Sequence, residues 1–268
     1  IVTDGMGMGG ITKNYSDAFA LVEAVNAGCD IIIQNYDIRG SINTIEKAVM
    51  DGRILESRIN ESALKMLKMK EKVGLHLKHD VLLENIQDNL GHKEHRATAK
   101  KIASEAITCV KLDEAMLPLT QYQDQNLFVI DVYDSEHNHS ISSITKGLIS
   151  SGLRVRPYQI DASDSENMLN AMLNEIPKKS IVILNIFVNY KARKDRISLP
   201  PNELNIINNL LKKTNKVVMG SLGNPYLIQD LPNAPIYICA YKNNSLMRQA
   251  YLDCLLYTSP SPRDATLS

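Results

Sequence analysis

Apolar positions along the chain switch repeatedly between strand-like runs and helical spacing. Ile1-Val2-Thr3 is a short apolar edge that ends at Asp4 and leads into the glycine-rich run Gly5-Met6-Gly7-Met8-Gly9-Gly10. From Ser16 to Asn26, residues Phe19, Leu21, Val22 and Val25 fall at helical spacing. Ser16 or Asp17 is suited to cap that helix and Gly28 to stop it. Cys29–Ile33 reads as a buried strand and polar Gln34–Gly40 as a loop. Ser41 opens a second helix with Ile42, Ile45, Ala48 and Val49 on one face, ended by Gly52. A third, from about Ser57, carries Ile59, Ala63, Leu64, Leu67 and Met69 as its core stripe. Strand alternating with helix predicts parallel α/β architecture.

Residues 75–97 are crowded with charge and histidine and poor in apolar positions, which reads as an interdomain connection. A helix from about Glu94 to Ala106 and a strand at Ile107–Lys111 follow. Beyond them the pattern predicts strands at Leu127–Val132, Arg154–Ile160, Ile181–Val188, Lys216–Ser221 and Ile236–Ala240. Helices are expected between them at Ser140–Ser150, Ser163–Ile176 and Pro201–Lys213, and after them at Asn244–Leu256. This describes a separate domain, a mostly parallel sheet sandwiched by helices. Tyr257–Ser268, with two Ser-Pro steps and few apolar residues, reads as a non-native or flexible tail.

Composition narrows the field without naming a function. The 268 residues include 30 Lys+Arg and 30 Asp+Glu, so there is no basic footprint for nucleic acid. The longest apolar run, Ile181–Val188, is interrupted by Asn185 and falls well short of the roughly 18 residues of a membrane span. Cys29, Cys109, Cys239 and Cys254 are scattered, with no CxxC pair, so no disulfide framework is indicated. The compartment stays open between cytoplasm, periplasm and exterior.

Several residues bear on chemistry. Gly5, Gly7 and Gly10 fit G-x-G-x-x-G between a strand and a helix, the dinucleotide-binding arrangement. Asp30, however, stands at the beginning of the next strand rather than its end, and Asp37 is a poor substitute. Asp4 would also repel a pyrophosphate. A Walker A loop is excluded because no Gly-Lys-Ser/Thr follows. Asp4 itself ends a parallel strand, where α/β proteins build active sites, although a turn-capping role fits it as well. His92 and His95, and the His137-x-His139 pair, have spacings a metal could use, but no Cys or carboxylate set completes a site. Cys29 reads as a small core residue, and Met66 and Met69 as core filler.

The ordered markers together are more specific than any one of them. Ile1-Val2-Thr3-Asp4-Gly5-Met6-Gly7-Met8 resembles the nucleophile segment of glycoside hydrolase family 3, in its bacterial β-N-acetylglucosaminidase branch. Ala27-Gly28-Cys29-Asp30 followed by Ile31-Ile32-Ile33 resembles that family's AGxD and apolar strand. Ala48–Ile54 and Ile59–Lys70 are similar to its next two helices. His95–Thr108 and Leu117-Pro118-Leu119 resemble the start of its second domain, and Gly220–Tyr226 resembles its FGNPY turn. Gly5 departs from the Asp or Ala the family often has there.

The resemblance implies a fold and a chemistry. Residues 1–75 would be the closing strands and helices of a TIM barrel, 76–97 a linker, 98–256 the α/β sandwich domain, and 257–268 the tail. The chain would then be a fragment lacking most of the barrel. Asp4 would be the nucleophile of a retaining β-N-acetylhexosaminidase acting on cell-wall-type sugars, and Met8 would line the sugar pocket, with no cofactor or metal called for. The acid/base would be a His on a loop preceding the nucleophile. In the β-glucosidase branch a Glu of the second domain takes that role, and Glu136 has a suitable position after Leu127–Val132. Three other readings stay open: a β-glucosidase-type family 3 enzyme, a non-catalytic carbohydrate-binding or interaction module, and, more remotely, the dinucleotide-binding oxidoreductase suggested by the glycine run.

Overall fold

The computed structural model describes residues 1–33, 37–78, 86, 90–135, 140–188 and 197–257. The chain divides into two compact units, Ile1–Asn89 and Leu90–Ser268.

In the first unit β1 (Val2–Gly5) pairs in parallel with β2 (Ile31–Ile33). A four-residue helix α1 (Gly9–Thr12) and α2 (Asp17–Asn26) connect them, and α3 (Ile38–Met50) and α4 (Glu56–Lys72) follow. Ser16 caps α2, its Oγ accepting from the Phe19 amide at 3.3 Å. The second helix begins three residues before Ser41 because Asp37 caps it, accepting from the Gly40 amide at 2.8 Å. Gly28 takes φ +98°, the left-handed conformation that ends α2.

The core of this unit is small: Val22, Val25, Ala48 and Ile54 are buried, with Ile45, Val49 and Ile59 packed beside them. The helical stripes read from the sequence are therefore only partly covered. Phe19, Ile42, Leu64, Leu67 and Met69 are exposed, and Met66 and Cys29 are half-buried, so neither methionine is core filler here. Cys29 also lies outside β2, in the turn before it. The reason is geometric: a two-stranded sheet presents too little surface to bury one face of three helices.

The second unit is built on a six-stranded sheet in the order β3-β8-β7-β6-β4-β5. The strands are β3 (Thr108–Lys111), β4 (Asn126–Tyr133), β5 (Arg154–Ile160), β6 (Ile181–Phe187), β7 (Val217–Ser221) and β8 (Ile236–Cys239). Only β3, antiparallel to β8, departs from parallel pairing. Helices α5 (Lys93–Ala106), α6 (Ser143–Ser150) and α9 (Ser245–Tyr257) supply one core with Leu127, Val129, Ile181 and Ile183. Helices α7 (Glu166–Glu175) and α8 (Pro201–Lys213) supply the other with Phe128, Ile130, Val182 and Leu184. Strand β6 is buried along its whole length, which is why it reads as a continuous apolar run. Edge strand β5 instead carries Arg154, Arg156 and Pro157, which discourage pairing with another chain.

One polar cluster interrupts these cores. Asp131 on β4 is fully buried, beside Asn185 in the register of β6. Its carboxylate accepts from the Ser142 amide and hydroxyl, each at 3.0 Å, and from Thr145 Oγ1 at 2.9 and 3.0 Å. Asn185 Nδ2 adds a bond of 2.8 Å. Ser142 is the N-cap of α6, so the buried Asp131 carboxyl group meets the positive end of a helix and is hydrogen-bonded at both oxygens. Replacing Asp131 by Ala strands these donors. We expect Asp131→Ala to lower the unfolding free energy by about 3–5 kcal/mol in urea denaturation. A loss below about 1 kcal/mol would show that the cluster does not hold β4, β6 and α6 together.

Candidate active site

Asp4 is aimed by an irregularity in the pairing of β1 with β2. Val2 pairs with Ile31 but Gly5 pairs with Ile33, so three steps of one strand oppose two of the other. The extra residue is a bulge, a device that redirects side chains at strand ends. Thr3 Oγ1 accepts from the Ile33 amide at 3.0 Å, and the Met6 amide donates to the Ile33 carbonyl at 3.0 Å, fixing both flanks. Between them Asp4 is exposed. Its Oδ1 accepts from the Gly5 amide at 2.7 Å, and among the described residues Oδ2 has no hydrogen-bond partner.

Asp4 and Met8 line one cleft of about 760 Å³, shared with Met6, Tyr15, Phe19 and Glu23. Tyr15 and Phe19 stack with ring centroids 5.6 Å apart. Sequence reasoning did not single out Tyr15 and set Phe19 in the helix core; their i, i+4 spacing was the available signal. The cleft wall is mainly apolar, with the carboxylates of Asp4 and Glu23 among its lining groups.

Beneath the site, Asp30 gathers the loop and helix that follow. Its side chain, 6% exposed, accepts from Arg58 Nη2 at 3.1 Å, Ser62 Oγ at 2.8 Å and Lys65 Nζ at 3.2 Å. Those three residues share one face of α4 at i, i+4 and i+7. The Ile1 ammonium lies 2.6 Å from its other oxygen. Arg58 also reaches the Val25 carbonyl at 3.2 Å and the Cys29 carbonyl at 3.1 Å, pinning the end of α2. The Ile1 ammonium, then Ser62, Lys65 and Arg58, hold the Asp30 carboxyl well below the usual carboxylate range, against the opposing effect of desolvation.

These contacts dispose of the dinucleotide reading. Asp30 is committed to α4 and Asp37 to the cap of α3, so neither carboxylate is available for a ribose. His92 and His95 face each other with ring centroids 5.6 Å apart, and among the described residues no group of three His, Cys, Asp or Glu is placed to hold a metal. Glu136, His137 and His139 lie outside the described residues. No helix among the described residues is long and apolar enough to cross a membrane.

Comparison with known proteins meets this geometry at the same segment. Residues 1–69 match the glycosyl hydrolase family 3 N-terminal domain. A β-N-acetylglucosaminidase/β-glucosidase of Cellulomonas fimi is 26% identical over 132 residues, which cover 49% of this chain and 23% of that protein. A β-hexosaminidase A of Pseudoalteromonas piscicida is 29% identical over 127 residues, 44% of this chain and 21% of that protein. Among solved structures, a β-glucoside phosphorylase BglX superposes with a TM-score of 0.75 at 20% identity, covering 97% of this chain and 47% of its own. A family 3 β-N-acetylglucosaminidase from Paenibacillus sp. str. FPU-7 gives 0.69 at 21% identity, with 96% and 48% covered. The fold is thus that of enzymes joining a TIM barrel to an α/β sandwich. The family match is confined to residues 1–69, and the likeness to the solved structures extends over nearly all of the chain. The chain spans about half the length of these solved structures.

The Asp30 contacts make a pH signature. A carboxyl whose folded pKa is depressed contributes stability above its unfolded value, near 3.9, and loses it as the pH falls below that value. We expect Asp30→Asn to lower the urea midpoint at pH 7, and the gap from wild type to narrow when both are measured at pH 3. A gap independent of pH would contradict the charge-based role of Asp30.

Proposed function

We propose that the protein carrying this chain is a retaining glycoside hydrolase that releases terminal β-linked N-acetylglucosamine, with Asp4 as nucleophile. The observation that carries this reading is the exposed Asp4 carboxylate, with Oδ2 unpartnered, on the rim of an apolar cleft within the family-matched segment. Asp4 Oδ2 attacks the anomeric carbon as the bond to the leaving-group oxygen breaks, and a general acid protonates that oxygen. Water then adds at the anomeric carbon, releasing Asp4 and preserving the β configuration. The Gly5 amide donates to Oδ1 and so orients the carboxylate, and Met8 offers an apolar wall to the sugar. The acid is expected on a segment preceding Asp4, so this chain by itself should not turn over substrate. GlcNAc-containing cell-wall glycans are the proposed natural substrates; the names of the two curated relatives support the N-acetylhexosamine part of this reading.

A β-glucoside is the second reading, favoured by the double name of the Cellulomonas fimi relative. Both are tested by steady-state kinetics with aryl β-N-acetylglucosaminide and aryl β-glucoside, using an enzyme that joins this chain to a complete family N-terminal domain. Asp4→Asn is expected to lower kcat by at least about 10³-fold on the preferred substrate, at an unchanged melting temperature. Substantial residual activity in Asp4→Asn would remove Asp4 from the chemistry and leave the carbohydrate-binding reading in front.

A further inference from the structure

The second unit contains a cleft that the glycosidase reading does not use. It encloses about 450 Å³ beyond the C-terminal ends of β7 and β8, where open α/β sheets commonly bind ligands. Its walls include Gly223, Asn224, Pro225, Tyr241, Lys242 and Asn243.

Two unusual backbone features shape it. A Cβ on Gly223 would lie 1.8 Å from the Val188 carbonyl oxygen, so only glycine lets this turn approach the end of β6. Tyr241 adopts φ +54°, a left-handed conformation that is unfavourable for a non-glycine residue. Its hydroxyl donates to Thr108 Oγ1 at 2.9 Å, and the Lys242 amide turns back to the Ala240 carbonyl at 2.5 Å. This strained turn sets Lys242 and Asn243 on the cleft wall. Non-glycine strain of this kind concentrates at functional sites.

The side chains leave a surplus of donors. Asn224 is held at both ends of its amide, its Nδ2 donating to the Ile197 carbonyl at 2.5 Å and its Oδ1 accepting from the Tyr226 amide at 3.0 Å. Asn243 Oδ1 accepts from Arg248 Nη1 at 2.9 Å, so its Nδ2 hydrogens are what remain for a ligand. Lys242 is exposed, and none of the described residues lining the cleft is a carboxylate. An ammonium and a carboxamide donor, without a negative charge among the described lining residues, match the needs of an oxyanion.

We propose that this cleft binds an oxyanion, either free phosphate or the carboxylate of an acidic sugar. The proposal is independent of the role of Asp4. It is tested on the full 268-residue chain by isothermal titration at low salt with inorganic phosphate, glucuronate and, as a neutral control, glucose. Phosphate or glucuronate should bind, glucose should not, and raising salt should weaken binding. Binding of phosphate and glucuronate alike points to a general oxyanion site, and glucuronate alone to a sugar carboxylate. Lys242→Ala should weaken binding at least ten-fold, and Asn243→Asp, which puts a carboxylate on the wall, should abolish it. Lys242 is exposed, so its removal should leave the urea midpoint unchanged. Failure of both anions to bind, binding of glucose equal to glucuronate, or wild-type affinity in Lys242→Ala would overturn the proposal.

Discussion

The ionic clasp between Asp30 and α4 organises the first unit. One carboxylate draws Arg58, Ser62 and Lys65 from a single helical face, while Arg58 reaches onward to the carbonyls of Val25 and Cys29. The apolar cluster between the helices here, Val22, Val25, Ala48 and Ile54 with a few half-buried neighbours, is too small to fix three helices on two strands alone. The clasp sets where β2 begins relative to α4, and the pairing of β2 with β1 then sets the bulge that exposes Asp4. The polar network that supports the site is therefore local, and Asp4 is placed by backbone pairing rather than by side-chain contacts.

The second unit solves the same problem with apolar mass and one buried polar cluster. Its sheet is covered on both faces, and Asp131 fixes β4, β6 and the start of α6 through hydrogen bonds to the Ser142 amide and three side chains. A misplaced α6 would leave a buried carboxyl group without donors, so the cluster penalises alternative packings more than it adds attraction. This contrast explains why the second unit's strands read clearly in the amino-acid pattern. Burial on both faces yields runs such as Ile181–Phe187, whereas three-residue β2 is recognisable mainly by its flanking turns.

The elements were legible because period and caps agree locally; Arg154–Ile160 and Pro201–Lys213 have the bounds the pattern predicts. Burial in the first unit was not legible, because periodicity shows which face of a helix is apolar and not whether anything covers it. Leu64, Leu67 and Met69 make a proper stripe and are exposed. The position of Asp4 at a strand end could be read from the glycine run, but the bulge could not, since it depends on register with a strand 30 residues away. Asp131 offered a signal that passed unused: a carboxylate inside an apolar strand needs buried donors, and Ser142, Thr145 and Asn185 supply them.

For the site, physical reasoning and family resemblance converge on one carboxylate from different directions. The resemblance assigns Asp4 a covalent role, and the geometry gives it an exposed oxygen beside an apolar cleft. The most direct measurement is mass spectrometry of a complete enzyme carrying this chain after inactivation with a slow fluorinated glycoside substrate. The account predicts a single added glycosyl mass on the peptide containing Asp4, removed by mild base as expected of an ester. Label on another residue, or inactivation without any covalent adduct, would contradict it.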